Sequence, residues 1–151
     1  MGADATDAAS GQQAAPKIAI ITEDAGVGDS LGLLLTSHAY AVEHFPLSSG
    51  AAVDCAAVAP DCLIVGQYQP SQPGLRLLIA RRARGDRIPA ALITNPMSLR
   101  DQRTVEGLDG VTVFEKPFDP DTLLGWLARQ AAAGRHAQDA AAQPGRQADD
   151  A

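Results

Sequence analysis

Residues 111–123 read VTVFEKPFDPDTL. VTVF is a short strand of β-branched and aromatic residues. Glu115, Lys116 and Pro117 end it. Asp119 is a helix-capping residue, Pro120 suits the first helical turn, and Leu123 and Leu127 return at i, i+4. A strand, a tight polar turn and an amphipathic helix therefore follow one another in a single β–α unit. Whether the rest of the chain repeats that unit decides the fold.

Upstream it does. AALIT (90–94) is a strand, and Ser98 caps a short helix to about 106. CLIV (62–65) is a wholly apolar strand of the kind buried on both faces. The helix that follows it, at 74–84, carries Leu75, Leu78 and Ile79. KIAIIT (17–22) is a strand, and Leu31, Leu34 and Leu35 mark a helix at 27–38. YAVEHF (40–45) is a strand, and Ser48 or Ser49 caps a small Ala-rich helix ending near 57. The pattern is (βα)₅. With right-handed crossovers it is an α/β, doubly wound, five-stranded parallel sheet of flavodoxin-like topology. Apart from Met1, residues 1–16 and 133–151 hold no large apolar residues to offset the entropy of ordering, so both are expected to be disordered tails around a domain at 17–132.

The bulk properties narrow the function. The 151 residues are 46% hydrophobic but only 4% aromatic, which implies an aliphatic core, and the net charge is −6. That charge argues against DNA as a partner. No apolar run approaches the roughly 20 residues of a membrane span, and the start lacks the basic and apolar regions of a secretory signal. Cys55 and Cys62 are too few for a disulfide scaffold or a closed zinc site, so a cytoplasmic protein with reduced thiols is expected.

GVGDSLG (26–32) lies between a strand and a helix but follows its strand too late for a dinucleotide fingerprint, and no GK[ST] follows it. It is expected to be a permissive loop. The RGD triplet ending at Asp86 is expected to be a turn. His38, His44 and His136 have no metal spacing, and no Ser/His/Asp or Cys/His order suggests a nucleophile.

In a parallel sheet the C-terminal ends of all strands share one edge, where the chemistry of such folds sits. Thr22, Glu23 and Asp24 end the first strand, Thr94 the fourth and Lys116 the fifth. The third strand, CLIVG, arrives between them at Gly66, with no side chain.

This constellation resembles the receiver domain of bacterial response regulators over about 17–132. The resemblance implies an acidic pair after the first strand that holds Mg²⁺, an Asp ending the third strand that accepts a phosphoryl group, and a Thr or Ser and a Lys before a cis-proline that contact the phosphoryl oxygens. Thr94, Lys116 and Pro117 match. The first acid is replaced by Thr22, the second is Glu23, and Asp24 follows. The phosphoacceptor position is Gly66, the residue lending its carbonyl to the metal is Tyr68, and Pro70 and Gly74 match the loop. The aromatic switch position on the fifth strand is Val113. Asp61 stands at the wrong end of the third strand to substitute. The chain is thus identified as a degenerate pseudo-receiver, without enzymatic activity, cofactor or metal, in which Lys116 pairs with Glu23 or Asp24.

The function implied is a phosphorylation-independent interaction module of two-component signalling. Its partner would be a histidine kinase, a regulator domain or a second copy. The resemblance places the partner face on the helix at 98–106, the strand at 111–114 and the last helix, with Arg100, Arg103, Val113 and a partly exposed Trp126. The alternative is a small-ligand sensor. Seven of the ten arginines lie between 76 and 103. Arg76, Arg81, Arg82, Arg84 and Arg87, with Arg100 and Arg103, suit a phosphate ligand such as a cyclic dinucleotide.

Overall fold

The computed structural model describes residues 15–47, 60–66 and 73–142, with side chains up to 133. The elements run β1 (Lys17–Ile21), α1 (Ala25–Ser37), β2 (Ala41–Phe45), β3 (Cys62–Gly66), α2 (Pro73–Ala83), β4 (Ala90–Thr94), α3 (Leu99–Glu106), β5 (Val111–Glu115) and α4 (Pro120–Ala142). All five strands form one parallel sheet in the order β2-β1-β3-β4-β5. The expected doubly wound architecture is the one observed. The helix expected at 48–57, Cys55, Tyr68 and Pro70 lie outside the described residues.

The sheet is covered on both faces because its central strands are apolar at nearly every position, Lys17 at the start of β1 and Thr94 at the end of β4 excepted. Ala19, Ile21, Leu63, Val65 and Leu92 point to one face, where Leu75 and Leu78 of α2 and Val105 of α3 meet them. Ile18, Ile20, Ile64, Ala91 and Ile93 point to the other, against Leu35 of α1 and Leu123, Trp126 and Leu127 of α4. This period-two division of continuous apolar runs is what a two-sided parallel sheet requires. The edge strands β2 and β5 are more exposed.

The caps are local and legible. Ser98 Oγ accepts from the Asp101 N–H at 3.1 Å, and Asp119 Oδ1 accepts from the Asp121 N–H at 2.9 Å. Asp24 Oδ1 accepts from the Val27 N–H at 3.1 Å and starts α1 earlier than expected. Gly26, Gly28 and Gly32 are consequently helical and do not form a loop. At Gly28 the missing side chain has a use: a Cβ there would overlap the His44 ring, which lies across the first turn of the helix.

One boundary is corrected. The last helix does not stop at 132 but continues to Ala142. Gly134 lies within the helix, and the alanines around it, which have the highest helix propensity of any residue, offset its cost of about 1 kcal/mol.

Candidate functional site

The register brings the strand ends together. Gly66 pairs with Ile93, Val65 with Leu92, and Thr94 with Glu115. Backbone bonds carry the ladder past the last strand residues: the Thr22 N–H donates to the Phe45 carbonyl at 3.1 Å, and the Lys116 N–H donates to the Thr94 carbonyl at 2.8 Å. At this edge a cavity of about 370 Å³ is lined by Thr22, Glu23, Asp24, Gly66, Ile93 and Lys116. The Lys116–Pro117 peptide is cis, as the resemblance implied.

Gly66 is not an open vacancy. A Cβ on it would lie 2.7 Å from Thr22 Oγ1 and 3.0 Å from Thr22 Cβ. Thr22 is itself only 5% exposed, and its Oγ1 accepts from the Asp24 N–H at 3.1 Å. That bond and the surrounding packing hold the hydroxyl in place. The residue at the first-acid position thus fills the space that a side chain at the acceptor position would need. Read separately, Thr22 and Gly66 are two losses; in space they are one complementary pair.

The remaining groups fit Mg²⁺ poorly. Glu23 and Asp24 are adjacent in sequence, and among the described residues no three His, Cys, Asp or Glu side chains come together. A hard cation needs carboxylates in near-octahedral order with phosphate and water, and the third strand contributes no ligand here. Lys116 is exposed, and neither of the ion pairs seen among the described residues, Arg81 with Asp86 and Arg87 with Asp109, includes it. Thr94 is buried, and its hydroxyl donates to the Asn95 carbonyl at 2.8 Å; its neighbour Ile93 faces the cavity instead. Asp61 is at the far end of β3, where its Oδ2 accepts from the Lys17 N–H at 2.8 Å.

Trp126 is corrected. It is 4% exposed and belongs to the core, edge-on to Phe114 with centroids 6.1 Å apart. The apolar stripe of α4 is one position wider than an i, i+4 pair, and at i+3 from Leu123 the indole falls within it. Arg100 and Arg103 are exposed on α3, and Val113 is half-buried on β5. Between α3 and β5 lies a groove of about 600 Å³ that Met97, Gln102, Val111 and Val113 help to line.

The arginine cluster is corrected too. Arg81 and Arg82 are buried. Arg81 is ion-paired with Asp86. Arg82 donates to the carbonyls of Asp109 at 2.8 Å, Asp86 at 2.9 Å and Ile88 at 2.7 Å. Its guanidinium thus satisfies the backbone of two loops. Burial lowers its pKa below the ordinary value, and the Asp86 carboxylate opposes that shift. Asp86, expected to be merely a turn residue, also accepts from the Ile88 N–H at 2.9 Å and organises the loop. Arg76, Arg84 and Arg87 remain exposed, with Arg87 3.2 Å from Asp109. The arginines do not converge on one site.

His44 Nε2 lies 3.4 Å from the Thr22 carbonyl, over Gly28, a contact without a signal in the sequence. Cys62 is buried in β3, and burial, with Asp61 adding to it, pushes its thiol up to about 12.

No protein-family model matches the chain, and no curated protein is significantly similar to it. Solved structures are similar. The chemotaxis response regulator CheY4 of Vibrio cholerae is 22% identical, with a TM-score of 0.65 over 77% of this chain and 98% of that one. The BeF3-activated N-terminal receiver domain of Klebsiella pneumoniae RstA is 25% identical, with a TM-score of 0.63 over 76% of this chain and 97% of that one. The receiver domain of a signal-transduction histidine kinase from Syntrophus aciditrophicus is 23% identical, with a TM-score of 0.67 over 79% and 92%. With five parallel strands in one sheet, this chain has the receiver-domain fold of two-component signalling proteins.

Proposed function

We propose that this chain is a pseudo-receiver: a non-enzymatic, phosphorylation-independent interaction module of bacterial two-component signalling. The observation that carries this reading is the fit of Thr22 against Gly66. A receiver needs a carboxylate on the third strand to form an acyl phosphate. Here that position has no side chain, and its neighbour occupies the space. The partner is a histidine kinase, a regulator domain or a second copy. It meets the face made by α3 and β5, where Arg100 and Arg103 are exposed on α3 and Val113 lines the groove between the two elements. The burial of Arg81 and Arg82 leaves the cyclic-dinucleotide alternative without its central residues.

The test is incubation with acetyl phosphate and Mg²⁺ followed by intact mass. The expected result is an unchanged mass. A hydroxylamine-labile phosphate on any Asp overturns the reading. On the interaction side, exchanging Arg100 and Arg103 together for Glu is expected to abolish partner capture without moving the denaturation midpoint, because both are exposed.

A further inference from the structure

Two cavities open at the strand-end edge, and they share Asp24, Val27, Ile93 and Lys116. The first, about 370 Å³, lies over Gly66. The second, about 700 Å³, passes Ser30 and Leu31 of α1 and ends against Phe118. Volumes in this range are those of small-molecule sites.

The two ends of the joined cavity differ in chemistry. Glu23, Asp24 and Lys116 stand around the first. Lys116 is exposed and engaged in no ion pair among the described residues. Asp24 caps α1 through Oδ1, but an ionised carboxylate accepts from more than one donor. The second end is walled by Leu31 and Phe118, both half-buried and packed against the core. The ring of Phe118 is held by Phe114, with centroids 5.8 Å apart.

This arrangement selects by charge. A plain anion meets Lys116 but also Glu23 and Asp24. A plain amine meets the acids but also Lys116. A small zwitterion satisfies both signs, and an apolar tail fills the rest. We propose that the joined cavity over Gly66 binds a free α-amino acid with an apolar side chain, its carboxylate at Lys116, its ammonium toward Asp24, and its side chain among Val27, Leu31, Ile93 and Phe118. The site rests on the phosphorylation-free reading, since a phosphoryl group carried at this edge would compete with the ligand for the same volume beside Lys116. Phosphate uptake by mass and ligand binding by titration fail independently of each other.

The experiment titrates the ¹⁵N-labelled full chain with L-leucine and L-phenylalanine and follows the amides of Val27, Ile93 and Phe118. Saturable shifts confined to this edge are expected. N-acetyl-L-phenylalanine, which lacks the cation, and L-phenylalaninamide, which lacks the anion, are each expected to bind at least about tenfold more weakly. Lys116→Met is expected to weaken binding about tenfold, and Ser30→Trp, which fills the apolar end from an exposed position, to abolish it. The absence of saturable shifts up to about 10 mM of either amino acid, a concentration that a ligand of this size should need no more than, overturns the proposal. So does equal binding of either single-charge analogue, or binding indifferent to both variants.

Discussion

At the scale of single residues, Gly66 and Thr22 set the character of the edge. Gly66→Ala is the smallest change that tests their fit. The new Cβ would sit 2.7 Å from Thr22 Oγ1; rotating that hydroxyl away breaks its bond with the Asp24 N–H and still leaves Thr22 Cβ at 3.0 Å. Overpacking of this kind costs about 1–3 kcal/mol. In chemical denaturation Gly66→Ala is expected to lose that amount, and Thr22→Ala in the same chain to recover part of it, with a coupling of about 0.5–3 kcal/mol. Additive single effects would show that the two side-chain positions do not compete. An Asp at 66 would meet Thr22 before it meets Glu23 or Asp24, so restoring the acceptor alone does not restore a receiver. Cys62 carries a pH dependence. Its folded thiol titrates near 12 against an ordinary 9.0, so the unfolded chain releases its proton first as pH rises. Stability from this group is complete below about pH 9 and is lost between about pH 9 and pH 12. Between about pH 8 and pH 10.5 the native protein is expected to lose more stability than Cys62→Ala, measured by urea midpoints at both pH values.

At the scale of elements, α4 shows how far a periodic pattern carries. Asp119, Pro120, Leu123 and Leu127 were readable as cap, first turn and buried stripe, and all are found in those roles. Trp126 was not. Its helical angle lies at the margin of the stripe, and whether a margin residue is buried depends on what faces it. Phe114 on β5 faces it. Trp126→Ala is therefore expected to cost about 3–5 kcal/mol of folding stability by chemical denaturation, and partner affinity per folded molecule should be unchanged. A stable variant with weakened partner binding would return the indole to the interface. The arginines of α2 follow the same logic. In sequence they are a basic last turn, suited to the helix dipole. In the fold, Arg82 satisfies three loop carbonyls, because the loops after α2 and α3 meet where they lead into β4 and β5.

At the scale of the molecule, the sequence determined the architecture. Strands buried on both faces must be apolar at every position, so β1, β3 and β4 stand out as runs, and the capped helices between them demand crossovers and hence a parallel sheet. The residues at the strand-end edge were legible for the same reason, since a parallel sheet places the ends of all its strands together whatever their side chains. What only the tertiary structure decided is how those side chains meet. Thr22 against Gly66, His44 over Gly28, and Arg82 on the loop carbonyls are contacts between residues distant in sequence. Periodicity and capping are local signals, fixed by backbone geometry within a few residues. Complementarity is a property of two surfaces and exists only once the chain has brought them together.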